Sequence, residues 1–226
     1  MKGCIQLTTF MLVISLGIAF GRQVTAKEKI RDRPNILLIL ADDLSWFDIG
    51  CYGSKDARTP HIDQLSHEGM RFDHAFTATA MCAPTRQQLY TGMFPARNGA
   101  MSNHSKVEAG TKSLVHHLGE LGYEVFLRGK THFGPEASFP FERVKGKGLP
   151  KTTEPFCLVE ASSKPHNPWP QVEGYDPANL TLPPYLIDNE ETRIAMARYF
   201  TEISQLDDRV GELLRELEAS GQEDNT

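Results

Sequence analysis

Basic residues are not in excess in this chain: 24 Lys and Arg stand against 29 Asp and Glu over 226 residues. The formal net charge of −5 gives no support to binding of nucleic acid or of an anionic membrane surface. Internal repeats and low-complexity linkers are lacking too. The composition, 40% hydrophobic and 23% charged, therefore reads as one well-buried globular domain. No stretch makes a comfortable membrane span, because the apolar run from about Ile5 to Phe20 is short and carries Gln6, Thr8 and Thr9. With Lys2 before it and Val24-Thr25-Ala26 after it, this run has the layout of a secretory signal covering residues 1–26, an uncleaved anchor being the alternative. No lipid-attachment cysteine follows, since Cys4 precedes the run. The mature chain, residues 27–226, is expected to be exported: periplasmic, extracellular or, in a eukaryote, lysosomal. Cleavage leaves Cys51, Cys82 and Cys157, an odd number for an exported protein. If Cys82 is modified, Cys51 and Cys157 remain either to pair or to stay buried and reduced.

The pattern of apolar residues indicates an α/β fold with a mainly parallel central sheet flanked by helices. Asn35 to Leu40 is a continuous apolar run, the mark of a strand buried on both faces. Thr59-Pro60 starts a helix that Gly69 ends, and Met70, Phe72, His74 and Phe76 then alternate as a strand would. A helix bearing Leu114, Val115, Leu118 and Leu121 stops at Gly122. Strands are expected over Tyr123 to Leu127 and Phe156 to Ala161. A long helix follows from about Asp188 to Ser220, with Ile203, Leu206, Val210, Leu213 and Leu217 at alternating three- and four-residue steps. The Pro-rich stretch from Pro165 to Pro184 reads as an ordered surface loop that shapes a pocket.

Four short segments carry residue types suited to chemistry. In Cys82-Ala83-Pro84-Thr85-Arg86 the proline suits the first turn of a helix, which Gly92 can end. Cys82 would then lie at a helix N-terminus, where free N–H groups and the dipole favour anions. Arg86, a turn further on, offers a guanidinium fork that matches a sulfate or phosphate oxyanion. The plainer alternative is a small buried thiol and a solvated arginine. Asp42-Asp43 follow the first strand, at the carboxyl edge where ligands of such sheets gather. The pair suits a hard cation, calcium or magnesium, or simply forms a turn. Gly129-Lys130-Thr131-His132 closes the next strand, so that Lys130 can hold an anion and His132 can donate or carry a proton; a solvated loop is the alternative. Lys164-Pro165-His166-Asn167-Pro168 holds His166 between prolines, in a catalytic or a merely structural loop. His116 and His117 lie on a helix without a partner motif and receive no role.

Taken together, Ala80-Met81-Cys82-Ala83-Pro84-Thr85-Arg86 with Leu89, Thr91 and Gly92 resembles the sulfatase signature. Pro34-Asn35-Ile36 through Asp42-Asp43 resembles the first strand of that family, and Gly129-Lys130-Thr131-His132 its second signature. Tyr90, Val125 and Arg128 depart from the usual residues of these signatures. The segment from Gly129 to Glu136 with Pro140-Phe141, and Tyr175-Asp176-Pro177 before the long helix, look like the heparan N-sulfatase (sulfamidase) branch.

The resemblance implies that Cys82 is oxidised to formylglycine by a formylglycine-generating enzyme. It also implies that Asp42, Asp43 and the modified Cys82 bind calcium, with magnesium as the alternative. Arg86 and Lys130 would hold the sulfate, His166 or Lys130 would assist the leaving group, and His132 would contact the formylglycine. The implied reaction is hydrolysis of a sulfate ester or N-sulfate of a glycan, in which one hydroxyl of the hydrated aldehyde attacks sulfur and the other drives release of sulfate. In this family a further strand follows the long helix and ends in Ser-Asp-Asn-Gly or a variant, supplying the remaining metal ligands. The chain stops at Thr226 before any such strand, so it reads as the N-terminal part of a sulfatase catalytic domain. By itself it is expected to be poorly active or inactive. Two other readings remain at this point: a phosphodiesterase or phosphonate monoester hydrolase of the same superfamily, and a non-enzymatic module or inactive fragment.

Overall fold

The computed structural model describes residues 33–171 and 174–226. The expected signal segment lies outside them. Among the described residues no helix is long and apolar enough to cross a membrane.

The architecture is built on a four-stranded sheet: β1 (Ile36–Leu40), β2 (Glu124–Gly129), β3 (Glu142–Arg143) and β4 (Phe156–Ala161). Their order is β1-β4-β2-β3, and every neighbouring pair is parallel. Among the described residues five α-helices accompany the strands: α1 (Pro60–Glu68), α2 (Cys82–Thr91), α3 (Pro95–Asn98), α4 (Leu114–Glu120) and α5 (Glu190–Ser220). The α/β reading holds.

β4 is the centre of the sheet because its six residues are all buried. On one face Cys157, Val159 and Ala161 join Val125, Leu127 and Val115, while on the other Phe156 and Leu158 meet Phe126. Each such fully buried aliphatic or aromatic side chain contributes about 2 kcal/mol. Glu160, on the second face, is matched by Arg128 at 2.7 Å and by Arg209 of α5 at 2.9 Å. The five positions read as the inner stripe of α5, from Ile203 to Leu217, are all buried. α5 also carries Asp207, whose carboxylate accepts the N–H groups of His61 and Ile62 and so caps α1.

Helix α5 runs antiparallel to the strands. Within its first half, Glu202 pairs with Lys164, just beyond the carboxyl end of β4. Past its end, Gln222 and Asn225 bond Asn35, at the amino end of β1. This orientation places the N-terminal turns of α5 at the edge of the sheet where Asp42 and Asp43 lie.

Two expectations are corrected. β1 is only half-buried, with Ile36 37% exposed, because it has one neighbour, β4, and its other edge is unpaired among the described residues. The alternating segment from Met70 to Phe76 forms no strand; among the described residues no neighbouring backbone takes up its hydrogen bonds, and Met70, Phe72 and Phe76 are 80%, 64% and 91% exposed. Conversely, β3 and α3 carry too few residues for any periodicity to announce them. Cys51 and Cys157 are both free thiols.

Candidate active site

Three loops meet where the strands end. Asp42 follows β1, Lys130 follows β2, and Ser162 to His166 follow β4. The backbone continues the pairing beyond the strands, with Lys130 N–H donating to Ala161 O at 2.8 Å, Ser162 N–H to Leu40 O at 2.9 Å and Asp42 N–H to Lys164 O at 2.9 Å. The register of the sheet therefore fixes these loops relative to one another.

Helix α2 brings the remaining groups. Its first residue is Cys82 itself, with extended Met81 as the N-cap and Gly92 closing the helix at φ 67°. Ala83 N–H donates to the Asn103 side chain at 3.2 Å. One turn on, the buried Arg86 guanidinium lies 3.4 Å from Asp42 Oδ1 and donates to Ser162 O at 3.3 Å and to Lys130 O at 3.5 Å. A single side chain thus joins all three strand ends. Lys130 Nζ bonds the other oxygen of Asp42. Asp42 is 4% exposed, so its charge is balanced by two cations rather than by water.

Ligand atoms of Asp42, Cys82 and His166 all lie within 4.8 Å of one another. His166 Nε2 is 3.7 Å from Asp43 Oδ2, and its Nδ1 bonds Asn167 O. Asp43 has a left-handed backbone, φ 62°, as a turn-forming aspartate can; the turn reading and a place at the site both hold for it. The cleft over Cys82, about 300 Å³, is lined among others by Asp42, Asp43, Cys82, Thr85 and Arg86. His132 sits beside it with one buried nitrogen, Nδ1, that has no partner among the described residues. Its pKa is lowered, first by burial and then by the positive charge of Lys130, with His104 and Arg86 adding smaller effects. All seven residues singled out in the sequence fall at this edge or contact it.

Others were not singled out. His104 Nδ1 stands 3.1 Å from His132 Nε2, and nothing in the local sequence marks it. Gln87, fully buried on α2, donates to Ser105 O at 3.0 Å and accepts from Val107 N at 3.1 Å and Gly134 N at 3.3 Å. It anchors the loops on either side of His132. An amide inside a short helix is the only hint it leaves in sequence. The three departures from the family signatures are absorbed by packing: Tyr90 stacks edge-on against Phe133, Phe139 and Phe141, Val125 is buried and Arg128 pairs with Glu160.

The Sulfatase family model matches residues 34–148. The chain belongs to the sulfatase family. Curated sulfatase relatives include an ulvan-active sulfatase of Formosa agariphila, 33% identical over 207 residues, which cover 82% of this chain and 42% of that protein. Human N-sulphoglucosamine sulphohydrolase is 29% identical over 244 residues, covering 84% of this chain and 48% of the relative. This sulfatase chain thus spans a little under half the length of the two. Among solved structures, a protein in complex with D-glucosamine-2-N,6-O-disulfate superposes with a TM-score of 0.69 at 19% identity, over 86% of this chain and 64% of its own. A phosphonate monoester hydrolase of Agrobacterium radiobacter reaches 0.72 at 18% identity, over 86% and 61%. At such identities these two speak for the alkaline-phosphatase-like fold alone.

Proposed function

We propose that this site hydrolyses sulfate esters of a glycan, with Cys82 as the precursor of the nucleophile. The observation that carries the reading is the Arg86 guanidinium: it joins the ends of β1, β2 and β4 one helical turn from Cys82, so a cation and a nucleophile are held on one anion-binding helix terminus. The curated relatives support the reaction class. Their names offer both an O-sulfated polysaccharide and an N-sulfated glucosamine as the kind of substrate. A phosphonate or phosphodiester substrate is disfavoured, since the phosphonate hydrolase is a fold neighbour only.

A divalent cation fits the residues present. Asp42 and Asp43 offer hard carboxylate oxygens, and Cys82 Sγ joins Asp42 in a cluster whose ligand atoms lie within 4.8 Å of one another. A thiol in that cluster suits a softer metal, whereas Cys82 converted to formylglycine adds oxygen and suits calcium, with magnesium as the alternative. The cation would supply charge neutralisation and Lewis acidity at the reacting oxygen. The chain's own groups do the rest. Arg86 orients the sulfate and Lys130 turns from Asp42 towards it. His166 delivers a proton to the departing oxygen. His132, whose charged form is disfavoured by burial and by Lys130, would accept a proton from Cys82 in its oxidised form. Export through residues 1–26 and maturation by a formylglycine-generating enzyme belong to the same reading.

The test is the mass of the Cys82 peptide from protein made in its native host, together with sulfate release by the protein and its Cys82→Ala variant. An aldehyde in place of the thiol and loss of sulfate release in the variant are expected. An intact thiol, or sulfate release that survives Cys82→Ala, overturns the proposal.

A further inference from the structure

A second cavity, of about 450 Å³, lies away from Cys82 between the start of α5 and two loops. Its wall is apolar where Phe47, Pro183, Pro184, Tyr185, Met196 and Phe200 contribute. Polar groups converge on it from three points: Asp48, Asp56 and Lys55. Asp48 is 7% exposed; Tyr199 donates to its Oδ2 at 2.9 Å, and its Oδ1 has no hydrogen bond among the described residues. Asp56 Oδ2 accepts Thr181 N–H at 2.8 Å, which ties the two loops of the wall together. Tyr185, 71% exposed, stands at the rim.

The place of this cavity follows from the direction of α5. Phe200 and Met196 precede Glu202, which pairs with Lys164 beyond the end of β4, by two and six residues. At 1.5 Å per residue that is about 3 and 9 Å farther along the axis, outward from the same carboxyl edge that carries Asp42. The chain itself links the two sites. Asp43 lines the cleft over Cys82 and Asp48 lines the cavity, and five residue steps span at most about 18 Å. A ligand with several linked units can therefore reach from one to the other.

We infer that this cavity is a subsite for a neutral, unsulfated sugar unit of the same glycan whose sulfate occupies the cleft. This rests on the proposed glycan sulfatase reading. Carboxylate oxygens accept hydroxyl groups, and flat apolar walls with an aromatic rim take the C–H faces of a sugar ring. Two carboxylates against one lysine leave the lining net negative, which repels a sulfated or uronic unit and selects a neutral one. The cavity thus reads the pattern of sulfation along the chain.

The test compares two substrates and one variant. The substrates are 4-nitrophenyl sulfate, too small to span the sites, and a galactan tetrasaccharide sulfated on one terminal unit only. Tyr185→Ala, a surface change, is expected to lower the ratio of kcat/KM for the tetrasaccharide over the small ester about 10-fold, equivalent to about 1.4 kcal/mol, chiefly through KM. A ratio that stays within twofold overturns the subsite. In parallel, the unsulfated tetrasaccharide is titrated into the protein by calorimetry. Binding that weakens about 10-fold in Tyr185→Ala supports the subsite, and absence of binding to the unaltered protein overturns it. If neither substrate is hydrolysed, calorimetry alone decides whether the cavity takes a sugar, while the mass of the Cys82 peptide decides the sulfatase reading.

Discussion

Replacing Asp42 by asparagine keeps the shape of the side chain and removes its charge, which isolates the electrostatic part of the site. Asp42 is the only carboxylate partner of both Arg86 and Lys130 among the described residues. Arg86 is 5% exposed and cannot turn to water, whereas the Lys130 side chain, 22% exposed, can. At 3.4 Å and an effective dielectric of about 20, the attraction between Arg86 and Asp42 is about 5 kcal/mol. Relief of Asp42 desolvation offsets part of this, and breaking buried pairs typically costs about 3–5 kcal/mol. The carbonyls of Ser162 and Lys130 still accept from Arg86, so the lower end applies, about 3 kcal/mol. For a domain of this size that is a fall in Tm of about 6–12 °C. Urea unfolding followed by circular dichroism, in chelator-treated protein, measures it, with an unchanged m-value as the check on comparable unfolding. The same experiment with Arg86→Met and with the double variant should show a coupling of at least about 1.5 kcal/mol. A loss below about 1 kcal/mol, or additive effects, would refute the idea that this pair holds the three strand ends together.

Gly129→Ala should cost about 2 kcal/mol or more and impair anion binding by Lys130. Gly129 has φ 90°, and an added Cβ would lie 2.1 Å from Ala161 O, so backbone must shift at the β2–β4 junction; thermal unfolding and sulfate affinity report it. Cys157 is 2% exposed and burial pushes its thiol up to about 11 from 9.0. It should resist alkylation in the native state at pH 8 and react once unfolded. Because the folded pKa is the higher one, the linked stability is complete below pH 9.0 and is lost, by up to about 3 kcal/mol, as pH rises towards 11. His132 shifts the opposite way from its ordinary 6.5. Its NMR titration midpoint should lie below that value, and its contribution to stability, present above pH 6.5, should fade as the pH drops through the folded midpoint.

Much of the scaffold was legible because its signals are local. β4 is found at its expected bounds, and α5 begins within two residues of expectation, because continuous apolar runs and a three-four spacing each have one stable solution once buried. The helix at Cys82 was legible from Pro84 and Gly92, one suiting the first turn and the other the left-handed end. The segment from Met70 to Phe76 shows the limit of such patterns. Alternation makes a strand only when another backbone is in register beside it, and among the described residues none is. β1 misleads for the same reason: its run of apolar residues suits full burial, but an edge position leaves it half-covered. His104 and Gln87 act on His132 and its loops through contacts over 28 and 47 residues, and no local window contains both ends of such a contact.

What the sequence by itself determined is the membership of the family, the α/β class and the identity of seven residues that gather at one edge of the sheet, because motif chemistry and hydrophobic period are properties of short segments. Tertiary structure alone decided that Arg86 bridges three loops, that Asp42 is neutralised by two cations, that Cys51 and Cys157 stay apart, and that a cavity opens beside α5 at the edge shared with Cys82. Those facts depend on sheet order and on the antiparallel run of α5, and so on which distant segments are brought within a few ångströms when the core closes.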